Sequence, residues 1–283
     1  MERTNFEIIG VPICCGSPTN GTQKACDILY EKLKIYNLPY TKIECKNSRT
    51  FKNNSYSPTQ VKSCVKKLYK VTNGVYNRNK NPFILGGDHS LSIGSVASSL
   101  RKHGDDLLVV WIDGHVDINT LKSSISHYIH GMPNAVSLGL FGKKLSPCHC
   151  KYKLKGKNLV VLGARSIDEA EYKILESNKV KYYNVDEIRK FGIENLINEI
   201  KKKTNVKHVH ISFDVDCLDP NEFMATGYNL DNGFKINEVK EIIDLLTKKF
   251  NLSLFECVEY NPTLDNDYKD LDKILQITKH ILG

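Results

Sequence analysis

The stretch 107–119, LLVVWIDGHVDIN, constrains this chain more than any other. Residues 107–112 are uninterruptedly apolar and rich in Val and Ile, the pattern of a parallel strand buried on both faces. The run ends in Asp113, His115, Asp117 and Asn119. In open parallel sheets, ligand sites lie just beyond the carboxyl ends of the strands. At a spacing of two, an extended backbone points Asp113, His115 and Asp117 the same way. Two carboxylates and an imidazole converging on one spot repel or need heavy solvation unless a cation sits among them. The bland alternative is a polar loop capping a strand.

Two further strand ends weigh against that alternative. KHVHISFDVD (207–216) runs through Val209, Ile211 and Phe213 into Asp214 and Asp216, again two apart. FILGGDHS (83–90) delivers Asp88 and His89 after two glycines. Five acids and two histidines thus gather at three apolar strand ends. Carboxylates with a minority of imidazoles, and no thiolate among them, suit a hard or borderline divalent metal such as Mn²⁺.

Strand patterns at 6–12, 41–45, 82–86, 107–113, 158–163, 180–184, 208–213 and 252–258 alternate with helical ones near 23–36, 58–76, 90–102, 133, 168–177, 193–203, 236–250 and 268–281. This implies a three-layer α/β/α fold with a central, mostly parallel sheet. No linker, repeat or low-complexity tract divides residues 1–283, so one domain is expected. Residues 46–58 are rich in Asn, Ser and Lys, a surface loop. Long connections at 114–131 and 217–234 are candidates for function.

The 283 residues are 41% hydrophobic and 25% charged, ordinary for a soluble globular chain. Neither a signal peptide nor a membrane span is apparent. The nine cysteines are odd in number and scattered, which predicts a reducing, cytoplasmic setting. Cys148-His149-Cys150 could be half a zinc clip, but no second half follows. The net charge of +8 raises nucleic acid as a partner, yet only six of the 40 basic residues are Arg. Dispersed lysines make a solvated surface the better reading, with no nucleic-acid partner and no membrane.

The motifs GGDHSLSIGS (86–95), WIDGHVDINT (111–120) with His130-Gly131 beyond it, SFDVDCLDP…ATG (212–227) and VEYNP (258–262) resemble the ureohydrolase family, and within it the arginases. The similarity spans nearly the whole chain, in order and with similar spacing. The resemblance implies an arginase-like fold and hydrolysis of L-arginine to L-ornithine and urea by a hydroxide bridging two Mn²⁺. It implies that His89, Asp113, Asp117 and Asp214 hold one metal. Asp113, His115, Asp214 and Asp216 would hold the other, with Asp88 in support. By position, His130 matches a proton-shuttling histidine and Glu259 the carboxylate that orients the guanidinium. Asn119 and Ser126 match residues at the substrate α-carboxylate, and Asp168 and Glu171 acids near its α-amino group. Thr226, in the ATG motif, would be a further substrate contact. The bland reading of Asp168 and Glu171 is as first-turn acids of a helix.

Departures from the family pattern lie in the substrate loop, where Ile125, His127 and Tyr128 stand for the usual Thr, Gly and Asn. Val116 replaces a Thr, and 220–234 lacks prolines and a glycine pair that the family usually shows there. None removes a metal ligand. Alternatives are an agmatinase-like guanidino hydrolase, a one-zinc relative of deacetylase type, and a silent relative with a binding or regulatory role. A homo-oligomer is possible, and ending at Gly283 the chain is not expected to build a trimer through an extended tail.

Overall fold

Residues 5–47, 58–148 and 151–283 are described by the computed structural model. Among them, eight strands form one sheet: β1 (Phe6–Gly10), β2 (Tyr40–Lys42), β3 (Asn81–Leu85), β4 (Leu107–Ile112), β5 (Leu159–Leu162), β6 (Lys181–Tyr183), β7 (His208–Asp214) and β8 (Asn251–Val258). Their spatial order is β2-β1-β3-β8-β7-β4-β5-β6, and every pairing is parallel. The chain crosses from β3 to β4 leaving a gap, which β7 and β8 later fill.

Alternation along the strands explains the layering. Phe83, Leu108, Val110, Ile211 and Phe255 point into one apolar core, while Ile84, Val109, Trp111, Val161 and Leu254 point into another. The first core is covered by α1 (Ala25–Leu33), α6 (Val185–Phe191), α7 (Ile193–Thr204), α8 (Ile236–Lys249) and α9 (Leu271–Leu282). The second is covered by α2 (Pro58–Asn77), α3 (Ser92–His103), α4 (Pro133–Ser137) and α5 (Glu169–Asn178). Central strands buried on both faces require two helical layers, although on its second face β7 carries His210 and Ser212 rather than apolar side chains.

Three expectations need correction. The helix read at 23–36 is α1 flanked by two single 3₁₀ turns. Helix α6 was not anticipated; it is one of the shorter helices, and a capping box starts it, with Glu187 N–H donating to Asn184 Oδ1 (2.8 Å) and Asn184 N–H to Glu187 Oε2 (2.9 Å). Nor are all cysteines free: Cys45, after β2, is bonded to Cys64 in α2. Most of the loop at 46–58 and of the Cys148–Cys150 motif lies outside the described residues. No described helix is long and apolar enough to cross a membrane.

Candidate metal centre and substrate cavity

Register places the site. Ile112 pairs with Phe213, Phe213 with Cys257, and Cys257 with Leu85, so four central strands end on one row. The residues that follow carry the chemistry: Asp113 after β4, Asp214 at the end of β7, Glu259 after β8, and Asp88 and His89 after β3. At Gly87 the turn passes so close to the β1 loop that a Cβ would lie 1.8 Å from the Ile13 carbonyl oxygen. Only glycine fits there.

His89 Nδ1 stands 3.1 Å from Asp113 Oδ2, 3.1 Å from Asp117 Oδ2 and 2.9 Å from Asp214 Oδ2. Its ring is stacked on Trp111, 4.0 Å away and tilted by 4°. His115 Nδ1 lies 2.9 Å from Asp216 Oδ2 and 3.5 Å from Asp113 Oδ1. Ligand atoms of His89, Asp113 and Asp117, and likewise of Asp113, His115 and Asp216, fall within 4.8 Å of one another, and Asp113 belongs to both groups.

The convergence differs in origin from simple strand alternation. β4 stops at Ile112, and Asp117 reaches the cluster through a left-handed backbone, φ 46°. Glu259 does the same at φ 63°. Non-glycine residues in this region are uncommon and cluster at functional sites. Asp216 is turned inward by a 3₁₀ turn in which its N–H donates to Asp214 Oδ1 (2.9 Å).

These groups are nearly all buried. Burial, with Asp216 and Asp113 beside it, pushes the Asp214 carboxyl far above the usual range; burial and Asp113 push Asp216 up to about 6. Asp113 goes the other way: burial is outweighed by His115 and His89, which hold it low. For His89 and His115, burial is outweighed by the surrounding carboxylates, which raise both well above the ordinary imidazole value. His89 Nδ1 and Asp113 Oδ2 are buried without a hydrogen-bond partner. Polar atoms in that position are costly unless paired, and a carboxylate-rich set with two imidazole nitrogens fits divalent cations of the Mn²⁺ type.

A cavity of about 310 Å³ opens beside the cluster and is lined by every expected substrate residue: Asn119, Ser126, Asp168, Glu171 and Thr226, together with His130 and Glu259. A larger hollow, about 710 Å³, lies by Asn81 and Asn251 at the opposite ends of the strands, away from this chemistry. His130 Nδ1 is 3.2 Å from Glu259 Oε1, and its N–H donates to the Gly16 carbonyl (3.1 Å). Burial opposes charging His130, but Glu259 outweighs it and raises the pKa. Asp88, accepting from Gly16 N–H (2.8 Å), Ser90 N–H (3.0 Å) and the Ser90 hydroxyl, is a structural brace.

The substrate residues are not equally free. Asn119 Nδ2 donates to Asp168 Oδ2 (2.9 Å), joining the two ends of the cavity wall. Glu171 accepts from Ile118 N–H (3.2 Å) and Asp168 N–H (3.0 Å), as N3 of the α5 capping box, so both its oxygens hold backbone. Burial raises its carboxyl to about 7. Ile125 is 87% exposed at the mouth, where an apolar side chain has no packing role.

Two residues were not singled out from sequence. Tyr228 lines the cavity with its ring 5.7 Å from that of His130 and 5.8 Å from that of His115. Arg165 donates to the carbonyls of Gly163, Asp216, Cys217 and Leu230 at 2.9–3.3 Å, lacing the β5 and β7 loops together. An arginine in a chain with so few was the available signal.

A parallel α/β/α sheet with a carboxylate–imidazole cluster at its carboxyl edge is an arrangement suited to a hydrolase that works with divalent metal. The family model for the arginase family matches residues 4–281. The chain is 33% identical to the arginase of Bacillus subtilis (strain 168) over 298 aligned positions, covering 100% of this chain and 99% of that one. It is 30% identical to arginase-1 of Bos taurus, over 96% of this chain and 89% of that one. Its fold superposes on the crystal structure of Entamoeba histolytica arginase in complex with L-ornithine with a TM-score of 0.91 at 25% identity, both chains being covered fully (100%). The chain belongs to the arginase family and is an arginase-type hydrolase, acting on the C–N bond of a guanidino group.

Proposed function

We propose that the chain hydrolyses L-arginine to L-ornithine and urea with two Mn²⁺ per chain, as one catalytic domain. The observation that carries the reading is the imidazole nitrogen of His89 ringed by three carboxylate oxygens at 2.9–3.1 Å, beside a cavity that ends on Glu259 and His130. His89, Asp113, Asp117 and Asp214 would hold one ion, and Asp113, His115, Asp214 and Asp216 the other. Divalent ions bound there would supply Lewis acidity and bring the pKa of water toward neutrality, which attack on a poor guanidinium electrophile requires. Asp117 thus serves both binding and chemistry.

The chain's own residues do the rest. Glu259 pairs with the guanidinium and fixes its plane. His130, held by Glu259 and the Gly16 carbonyl, carries a proton toward the departing amine. Asn119 and Ser126 donate to the α-carboxylate, directly or through water. Asp168 attracts the α-ammonium; Glu171, whose oxygens hold backbone, acts mainly by field. Thr226 closes the wall. A cytoplasmic location belongs to this reading, with Cys26, Cys148, Cys217 and Cys257 outside any disulfide, although the Cys45–Cys64 bond favours a less reducing setting. Neither nucleic acid nor membrane is a partner.

The rival is agmatine, which lacks the α-carboxylate. A site that hydrogen-bonds a polar group rejects an analogue without it, because its own donors are left unpaired. The expected preference for L-arginine is at least about 10²-fold in kcat/KM, roughly 2.7 kcal/mol. Ser126→Ala with Asn119→Ala shrinks that ratio, whereas Asp168→Ala lowers activity on arginine without favouring agmatine. Parallel urea assays decide it: agmatine hydrolysed as well as arginine moves the assignment to an agmatinase-like enzyme.

A further inference from the structure

His89 has two ring nitrogens, and the one turned from the carboxylates is engaged just as firmly. Nε2 lies 2.9 Å from Ser212 Oγ. The Ser212 hydroxyl donates to Glu256 Oε1 at 2.8 Å. The same carboxylate oxygen accepts from the Ser92 hydroxyl (2.6 Å) and has His210 Nε2 at 3.2 Å. Ser92, His210, Ser212 and Glu256 are all completely buried. Burial opposes charge on Glu256, but His210 and the serine hydroxyls outweigh it and bring its pKa to about 2. A carboxylate sealed in the core is expensive unless it is paired; here Oε1 takes all of these partners, while Oε2 is buried without a hydrogen-bond partner.

Ser212 has one proton, and Glu256 takes it. Ser212 Oγ therefore meets His89 Nε2 as an acceptor, which requires the ring proton on Nε2 and leaves the Nδ1 lone pair facing Asp113, Asp117 and Asp214. With an amide in place of Glu256, an N–H can point at Ser212, the hydroxyl turns its proton toward Nε2, and the proton of neutral His89 is driven onto Nδ1. A proton there competes directly with a metal.

We propose that Glu256 is a positioning residue of the metal centre, acting through Ser212 to hold His89 with its proton on Nε2 and so to set the affinity of one of the two metal sites. The proposal rests on the two-metal reading. Its effect is confined to the site built on His89, because His115 is partnered by Asp113 and Asp216 and hydrogen-bonds to none of these groups. It also accounts for a serine and an acid in strands β7 and β8 at positions that an apolar core would otherwise fill.

The test is Mn²⁺ titration of the full chain by calorimetry after chelator treatment, in wild type, Glu256→Gln, Glu256→Asp and Ser212→Ala, with circular dichroism to confirm the fold. The expected result for Glu256→Gln and for Ser212→Ala is one Mn²⁺ bound about 10- to 100-fold more weakly, with the second unchanged. Glu256→Asp, which keeps the charge, recovers most of the loss. A merely structural role would weaken both ions together or neither. If folded Glu256→Gln binds both ions with wild-type affinity, the proposal is overturned. Should Glu256→Gln fail to fold, Ser212→Ala decides in the same way, since it leaves Glu256 in place. Arginine is absent from the measurement, so failure of the substrate reading leaves the result intact; a wild type that takes up no Mn²⁺ sinks the metal reading and this proposal with it.

Discussion

Asp113 belongs to both ligand groups, and that makes it a sensitive position. Asp113→Ala is expected to abolish urea formation and to lower Mn²⁺ content, because it removes a carboxylate from each ion's set. His130 behaves differently, since it touches Glu259 and no ligand of the cluster. His130→Ala keeps the metal and lowers kcat by about 10- to 10³-fold through lost proton transfer. Metal analysis alongside kinetics separates the two, and a His130→Ala enzyme stripped of metal would mean the shuttle role is wrong. The acids also fix a pH dependence. Metal ligands must be deprotonated, and Asp216 is raised to about 6 by burial and Asp113, with Asp214 raised further by burial, Asp216 and Asp113. As pH falls, Asp214 takes up a proton first and Asp216 follows at about 6 in the metal-free protein, so Mn²⁺ affinity falls and binding releases protons. Calorimetry in buffers of different protonation enthalpy, between about pH 5.5 and 7.5, checks this; an affinity flat across that range, with no protons released, contradicts it.

At the level of elements, the loop after β1 carries more of the site than its composition suggests. Asn47, beyond β2, donates through Nδ2 to the Pro12 carbonyl (2.7 Å) and accepts from Cys14 N–H (3.0 Å). Further along the same loop, Gly16 holds His130 and Asp88. The Cys45–Cys64 bond, spanning 19 residues, anchors Asn47 to α2. Closing a loop of that size is worth about 3 kcal/mol through the unfolded state. Reduction, or Cys45→Ser with Cys64→Ser, is therefore expected to lower stability by about 2–3 kcal/mol in denaturant titration; equal midpoints for the oxidised protein and the double variant would remove the bond from the account. The elements also show what was legible in the sequence. Buried strands such as β4 and amphipathic helices such as α8 announce themselves through periodicity, and the acids after β4 and β7 announce a cation. What periodicity does not carry is how the loops turn. Asp117 and Glu259 enter the site through left-handed backbones, Glu171 is spent on a helix start, and Tyr228 reaches two histidines from a loop without pattern. Pairing of Cys45 with Cys64 depends on β2 lying near α2, which spacing alone does not determine.

Across the whole molecule, the cluster joins segments far apart in the chain: His89 after β3, Asp113 to Asp117 after β4, and Asp214 and Asp216 at β7. Without an ion, the carboxyls of Asp117, Asp214 and Asp216 are raised at these strand ends, first by burial and then by neighbouring carboxylates. An ion bound at their meeting point therefore holds the centre of the sheet, where β3, β8, β7 and β4 are neighbours. A ligand that binds only the folded state stabilises it by about 2.7 kcal/mol at a concentration 100 times its Kd. For a chain of this size, that corresponds to a rise in Tm of roughly 5 °C per ion. Mn²⁺ is expected to raise Tm by this order and chelator to reverse it. The control is Asp113→Ala, which keeps the lysine-rich surface but lacks the shared ligand: an equal Mn²⁺-induced rise in that variant would assign the stabilisation to binding elsewhere on the molecule, and no rise in the wild type would leave the strand ends without the cation their chemistry requires.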